Sequence, residues 1–331
     1  GRQMGFILGH EGKGSLLSFL KEKGWATSLS AGAGSDTKEY GRASVKIGLT
    51  EQGLKDYEEV LMATVDYIRL MKSAGYQEHV FNELKTMAEL EYVYGAKGEG
   101  MWRATQLANE AMMYPLENVG KINYMYNDKN PKPYEDLLEQ LELNNMLVVI
   151  TAKGVSTDQV EYYYNAPYSY KEDKALYSQL LEKRENKKLK IPDVNPFIPT
   201  TASVPNRDII DNKLPRLLSS DLGHELYFGE DHEFLRPKGM ISLKILMPQE
   251  QMSLNHRVYS KIYSACVNES LNELGYPAKQ AGLNYSFREG YEGFYITING
   301  YSESATLLYE MLLNHMIDFK VSEEQFSAIQ D

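Results

Sequence analysis

The chain has 331 residues, a formal net charge of −11 and 43% hydrophobic residues, which is typical of a globular protein of about two domains. Its acidic balance, with no basic stripe beyond residues 183–190, excludes a phosphate-tracking surface, so we expect no nucleic-acid partner. No long apolar run and no charged-then-apolar leader is present, so we expect no membrane partner and a soluble, cytoplasmic or periplasmic protein, with the compartment left open.

The first predicted elements are a helix over residues 14–23 and a strand pair. Leu16, Leu17 and Leu20 share one helical face, and Gly24 follows where a left-handed residue is favoured. Residues 25–33 and 42–49 then alternate as an antiparallel pair joined by a polar loop.

A long helix is predicted next, with Thr50 as its N-cap, Ala74 as its last residue and Gly75 as its C-cap. We expect one apolar stripe of this helix to face the sheet. The stripe consists of Leu54, Tyr57, Leu61, Val65 and Ile68.

Three more helices and a strand complete the first half of the chain. The helices are predicted over residues 77–94, 101–113 and 133–143, and the strand over Met146–Thr151. A Lys/Glu-rich segment with a surface helix and then a Pro-rich segment follow, which indicates a linker.

A repeat at an offset of 251 residues organises the chain. Val45 and Ile47 correspond to Ile296 and Ile298, and the helical pattern that follows each strand also corresponds. We also expect Gly275-Tyr276 to end a helix and open a strand, as Gly24-Trp25 does.

The predicted fold class is therefore α+β, with two tandem related two-layer domains, each a mainly antiparallel sheet backed by helices. The domains are predicted over residues 1–168 and 201–331, with the linker over 169–200. The first copy lacks the strands that precede the second, and the second stops soon after Phe326, so we expect both domains to be incomplete in this chain.

The glycine-rich opening, residues 9–15, does not have phosphate-loop spacing. A phosphate loop needs Ser or Thr directly after its Lys, whereas Gly14 follows Lys13. The single Cys266 lies in an apolar helical pattern, which predicts a core thiol.

The six histidines do not have the spacing of a metal or catalytic site. The pairs at His10, His224 and His232 each precede a Glu, but none provides two His one helical turn apart, so incidental surface histidines are the favoured interpretation. His79, His256 and His315 are isolated in helical patterns, which predicts solvated or hydrogen-bonded rings. We therefore expect no metal ligands and no catalytic residues in this chain.

Six motifs occur in order along the whole chain. They are GHEGKGSLLSFLKEKGW (9–25), MYPLENV (113–119), NAPY (165–168), IPDVNPFIPT (191–200), AGLNYSF (281–287) and GYSES (300–304). Together they resemble the insulinase/pitrilysin (M16) family of zinc metallopeptidases. The first segment is similar to the family's second domain, and IPDVNPFIPT is similar to its interdomain linker. The resemblance implies the second domain and the start of the third of four similar domains.

The resemblance implies that zinc and catalysis belong to the full-length enzyme. The family's HxxEH zinc motif in domain one is absent here, and its substrate-binding Arg and Tyr lie in domain four. The missing first and fourth domains and the peptide substrate are therefore the implied partners, and the segment alone is expected to be inactive.

A substrate-binding exosite is the role that the resemblance implies for the middle of such an enzyme. That surface corresponds here to Gly5, Gly9, Leu29, Ala31 and Gly32. Small residues allow a peptide backbone to approach a strand edge closely; the alternative is that Gly9 and Gly32 serve tight turns.

Two functional hypotheses remain open at this stage. The first is the noncatalytic middle segment of a zinc metalloendopeptidase that encloses and cleaves peptides. The alternative is a nonenzymatic relative that binds peptides or supports an active partner. A free-standing interaction protein is disfavoured by the ordered motifs.

Overall fold

A computed structural model describes residues 1–35, 39–96, 98–127, 129–182, 184, 186–204, 214–221, 223–231, 233–248, 253–321 and 326. The α-helices are α1 (Arg2–Leu8), α2 (Leu16–Glu22), α3 (Glu51–Lys55), α4 (Tyr57–Ala74), α5 (Glu78–Tyr94), α6 (Gly100–Met113), α7 (Lys132–Glu139), α8 (Lys174–Leu181), α9 (Leu254–Gln280) and α10 (Ala305–Asp318). The strands are β1 (Ala26–Ser35), β2 (Gly41–Leu49), β3 (Gln159–Val160), β4 (Pro167–Tyr168), β5 (Arg216–Asp221), β6 (His224–Phe228), β7 (Lys238–Leu246), β8 (Asn284–Gly290) and β9 (Gly293–Tyr301).

The chain divides into two compact units, each made of two chain segments. Unit 1 contains residues 1–81 and 128–194, and unit 2 contains residues 82–127 and 195–331. Helices packed against small antiparallel sheets confirm the α+β class, whereas the boundaries at 168 and 200 stay predictions. None of the helices in the described part is long and apolar enough to cross a membrane.

Unit 1 is built around the β1–β2 hairpin, which confirms the predicted antiparallel pair. Leu29 is paired with Ile47, and Ala31 with Val45. The helices α1 and α2 pack against β1 and bury a continuous apolar layer. This layer contains Met4, Ile7, Leu8, Leu16, Leu17 and Leu20.

The helix predicted from Thr50 to Ala74 is interrupted at Asp56. Thr50 does cap the first piece, because its hydroxyl accepts the Gly53 N–H at 2.9 Å, and Gly75 does follow the second piece with φ +65°. The break occurs where the Trp25 indole N–H donates to the Asp56 carboxylate at 2.9 Å. A tertiary hydrogen bond therefore overrides the continuous helical pattern.

The predicted stripe of this helix is only partly buried. Val65 is buried as predicted and Leu61 and Ile68 are half-buried, while Val60, Tyr67 and Met71 also belong to the buried face. The helix α4 packs on α2, α7 and α8, and these helices determine its inner face.

Two other predictions for unit 1 differ from the structure. Residues 146–151 form no strand, and every one of them is exposed. The linker helix, predicted over residues 170–184, is shorter in the structure, as α8, and its Leu180 is buried against Met62 and Val65.

Unit 2 has a three-stranded antiparallel sheet in the order β7–β9–β8, packed against α9 and α10. Its core includes Val267, Leu271, Ile296, Ile298 and Leu308, and Cys266 is fully buried, as predicted for a core thiol.

The predicted helix end at Gly275 is wrong, because α9 continues to Gln280. A Cβ atom on Gly275 would lie 2.2 Å from the Tyr285 hydroxyl, which donates to the Leu271 carbonyl at 2.8 Å. Gly275 therefore allows a strand residue to pack on the helix and does not terminate it. The repeat relation between Val45 and Ile296 does place both residues in the second strand of a hairpin.

Candidate functional site

The predicted exosite lies where α1 packs along β1. A Cβ atom built on Gly5 would lie 3.1 Å from the Gly32 Cα and 3.3 Å from the Ala31 carbonyl oxygen. A Cβ atom on Gly9 would lie 2.9 Å from the Gly5 carbonyl oxygen and 3.4 Å from the Ala31 nitrogen. The two glycines therefore bring the helix against the strand backbone, at distances that leave almost no room for a side chain.

Gly1 belongs to the same row, and the sequence interpretation did not include it. A Cβ atom on Gly1 would lie 2.6 Å from the Ala33 carbonyl oxygen. The spacing of Gly1, Gly5 and Gly9 is four residues, which places them on one side of a helix. That spacing is the signal that could have identified Gly1.

The remaining predicted residues occupy opposite faces of β1. Leu29 is 6% exposed, and its side chain anchors the strand in the core. The Ala31 methyl group lies on the α1 side, 3.6 Å from the Cβ position of Gly9. In contrast, no atom lies within 4 Å of the Cβ position of Gly32. Gly32 thus leaves an open patch of backbone on the outer face of β1.

Tight turns do not explain the glycines of this site. Gly9 follows α1 with φ −90°, a value that other residues adopt readily. Gly5 and Gly32 are not among the glycines with positive φ. Close packing explains Gly5 and Gly9, and neither packing nor backbone strain explains Gly32.

The loop after Gly9 is fixed by internal contacts. The Ser15 hydroxyl accepts the Ser18 N–H at 3.1 Å and so caps α2. Gly14 has φ +81°, and its carbonyl accepts the Lys190 N–H at 2.8 Å. These contacts show that the loop supports the helix and the linker segment.

His10 is the titratable group closest in sequence to this surface. Its Nδ1 accepts the Gly12 N–H at 3.0 Å, and its ring packs edge-on against Phe6 at 5.9 Å between ring centroids. Burial lowers the pKa of His10 to about 4. The imidazole is therefore neutral at pH 7.

The other histidines are hydrogen-bonded or exposed. His79 contacts the Pro192 carbonyl at 2.9 Å, His256 contacts Ser253 at 2.7 Å and His315 contacts Ser270 at 2.8 Å. His224 opens β6 on an exposed hairpin, while His232 lies outside the described residues. Within the described part of the chain, no three His, Cys, Asp or Glu side chains come together as metal ligands.

Two family models match the chain. A model described as the middle or third domain of peptidase M16 matches residues 92–331, and one described as the peptidase M16 inactive domain matches residues 3–88.

Relatives match nearly the whole chain. Insulin-degrading enzyme of Bos taurus is 28% identical, with 100% of this chain and 33% of the relative covered. Insulin-degrading enzyme-like 2 of Arabidopsis thaliana is 29% identical, with coverages of 100% and 34%. A Schizosaccharomyces pombe protein named as a zinc protease is 28% identical, with coverages of 98% and 34%. The chain spans about a third of the length of these relatives.

The crystal structure of pitrilysin has the same fold. The two structures superpose with a TM-score of 0.85 at 20% sequence identity. The match covers 99% of this chain and 35% of the pitrilysin chain.

Proposed function

Because the chain belongs to the M16 peptidase family, we propose that it is the noncatalytic middle segment of a zinc-dependent metalloendopeptidase. In this proposal it forms part of the wall of a peptide-enclosing chamber and carries an exosite on β1. The zinc ligands and the general base belong to parts of the protein outside these 331 residues. No chemical step is assigned to this chain.

The open backbone at Gly32 is the observation that carries the exosite proposal. In an antiparallel pair, alternate residues direct their N–H and C=O groups away from the partner strand. A strand edge with such groups can pair with an extended peptide, and a residue without a side chain allows the closest approach. Gly32 of β1 has an open position of this kind, and in the proposal its outward backbone groups pair with the peptide.

Each predicted exosite residue has a distinct role in the proposal. Gly5 and Gly9 hold α1 against β1, so the strand is rigid before the peptide arrives. Buried Leu29 fixes the register of the strand. Ala31 keeps a small side chain beneath α1, and Gly32 contacts the peptide backbone. Preorganisation of this kind reduces the entropic cost of binding.

Peptide hydrolysis tests the assignment to a metalloendopeptidase. A quenched fluorescent peptide should be cleaved by the full-length gene product, cleavage should stop when zinc is chelated, and the 331-residue chain alone should be inactive. Cleavage by this chain alone would contradict the proposal. Inactivity of the full-length protein with peptide binding retained would favour the nonenzymatic alternative.

A matched pair of variants tests the exosite. The Cβ positions of both Gly32 and Gly34 are open, and the two residues are two positions apart on the outer face of β1. Gly32→Val should keep the fold, since Val suits a strand, and should weaken peptide binding about tenfold or more by blocking backbone approach. Gly34→Val should weaken binding less than Gly32→Val, because Gly34 lies at the end of β1. Equal affinities for wild type and Gly32→Val would refute the exosite and leave the hydrolysis test unaffected.

A further inference from the structure

Unit 2 contains a cavity far in sequence from β1, between the end of α5, the start of α6 and the loop that follows α6. Its volume is about 200 Å³. The residues that line it include Tyr92, Trp102, Arg103 and Tyr124. A space of this size matches one amino-acid side chain rather than a drug-sized ligand.

A buried carboxylate behind the cavity holds two of the residues that line it, Gln106 and Gly120. Glu110 is 7% exposed and accepts hydrogen bonds from the Gln106 side chain at 2.7 Å, the Gly120 N–H at 2.7 Å and the Asn123 side chain at 2.9 Å. These bonds tie residues 120–124 to α6. Tyr124 is thereby held against Tyr92, with 5.4 Å between the ring centroids.

The guanidinium group of Arg103 donates its hydrogen bonds to uncharged acceptors. Its Nη1 donates to the Gln106 amide oxygen at 3.2 Å, and its Nη2 donates to the Gly120 carbonyl at 3.4 Å. Among the described residues, no carboxylate oxygen lies within the 4.0 Å of an ion pair with Arg103. A guanidinium has five N–H donors and binds carboxylates bidentately, so donors remain for an anion.

The aromatic residues that line the cavity favour a flat or apolar group beside an anion bound to Arg103. Trp102 is 66% exposed, although an indole gains most from burial. A ring or aliphatic chain that enters the cavity would cover Trp102 and contact the Tyr92–Tyr124 pair.

We propose that this cavity binds a carboxylate attached to an aromatic or large apolar side chain. The carboxylate pairs with Arg103, and the side chain packs on Trp102, Tyr92 and Tyr124. Such a group occurs at the C-terminus of a peptide and in a free amino acid. Glu91 also lines the cavity and is an acceptor for a peptide N–H or an α-ammonium group. The site is independent of the proposed exosite.

Nuclear magnetic resonance of the indole N–H groups tests the proposal on the 331-residue chain. The chain has two tryptophans, so Trp102 reports on the cavity and Trp25, in unit 1, is an internal control. N-acetyl-phenylalanine should shift the Trp102 signal saturably and leave that of Trp25 unchanged. Its C-terminal amide should bind about tenfold more weakly or worse, since it lacks the charge.

Two variants separate the ion pair from general effects on the fold. Arg103→Gln should weaken binding of N-acetyl-phenylalanine about tenfold. Arg257→Gln removes another arginine that packs on a tyrosine in unit 2, 4.6 Å from the Tyr291 centroid, and should not change binding.

The outcomes distinguish the sources of the ligand. Tighter binding of N-acetyl-phenylalanine than of phenylalanine supports a peptide C-terminus, and the reverse supports a free amino acid. An amide that binds as well as the acid, an Arg103→Gln variant with unchanged affinity, or a Trp102 signal that does not move would overturn the proposal. The acid and amide comparison uses the wild-type chain and stands even if Arg103→Gln fails to fold.

Discussion

The Glu303 carboxylate accepts the backbone N–H of Thr200 at 2.9 Å. It also accepts the backbone N–H groups of Thr201 at 3.1 Å and Ala202 at 3.3 Å. One side chain in the turn after β9 therefore holds residues 200–202, at the end of the Pro-rich linker. These bonds lower the pKa of Glu303 to about 2, with the Thr200 side chain as the largest contributor.

We expect Glu303→Gln to release residues 200–202. The neutral amide loses the charge-assisted bonds, so their backbone N–H groups should exchange hydrogen several-fold faster, as measured by mass spectrometry. Glu310→Gln on the exposed side of α10 is the matched control. In the wild type, the ionised Glu303 carboxylate stabilises the fold fully above its ordinary pKa of about 4.5. This stabilisation is lost as the pH falls towards 2. Equal exchange rates in both variants would contradict this role.

The sequence predicts the structural elements that depend only on neighbouring residues. The hairpin of β1 and β2, the cap at Thr50 and the glycine after Ala74 depend on alternation and on capping chemistry that neighbouring residues supply. They occur in the structure as predicted. The helix break at Asp56 depends instead on Trp25, which is distant in sequence.

Glycine is the residue that the sequence interpretation explains least well. Gly24 and Gly275 have the same local pattern, but Gly24 has φ +68°, while Gly275 is inside α9 and faces Tyr285. Likewise, the family resemblance assigns both Gly5 and Gly32 to the exosite. The Cβ position of Gly5 is tightly packed against β1, whereas no atom lies near that of Gly32. A missing side chain does not tell which neighbour occupies its place.

The loop after α1 should become less stable in mild acid because of His10. Its pKa is about 4 in the folded chain, against an ordinary value of 6.5, so between these values the unfolded chain binds a proton that the folded chain does not. Stability should therefore fall as the pH decreases from 6.5 to 4, by at most about 3 kcal/mol. Urea unfolding at several pH values measures this, and the decrease should be smaller in His10→Gln. Parallel curves for the two proteins would contradict the assignment.

Gly53→Ala should destabilise unit 1 although alanine favours helices. A Cβ atom on Gly53 would lie 1.8 Å from the Trp25 carbonyl oxygen, so the first turn of α3 must move away from the hairpin. The helix propensity of alanine contributes about 1 kcal/mol in the opposite direction. We expect a net loss of about 2 kcal/mol in the free energy of unfolding. Gly34→Ala, at an open position, should be near neutral; similar losses in both variants would rule out the clash.

Arg69 should determine how firmly α8 is attached to α4. Its guanidinium donates to the Glu182 carbonyl at 2.8 Å and to the Leu180 carbonyl, at the end of α8. Arg69→Met should lower the free energy of unfolding by about 2 kcal/mol and speed hydrogen exchange in α8. Arg69→Lys should recover only part of this, since an ammonium lacks the planar fork. Full recovery by Lys would show that charge alone matters.

Glu110 should be the least replaceable of the residues that support the cavity in unit 2. Its carboxylate is buried and accepts three hydrogen bonds, so Glu110→Ala would leave the Gly120 N–H and the Gln106 and Asn123 amides without their acceptor. We expect a loss of about 3 kcal/mol in the free energy of unfolding, because hydrogen bonds to a charged group each contribute about 1.5–3 kcal/mol and these donors are half-buried or exposed. Glu110→Gln should recover part of this loss, since its amide keeps one acceptor oxygen. Because Tyr124 then loses its support against Tyr92, both variants should also weaken binding of N-acetyl-phenylalanine. Glu117→Ala on the exposed loop after α6 is the control, and a comparable loss there would show that Glu110 has no special role.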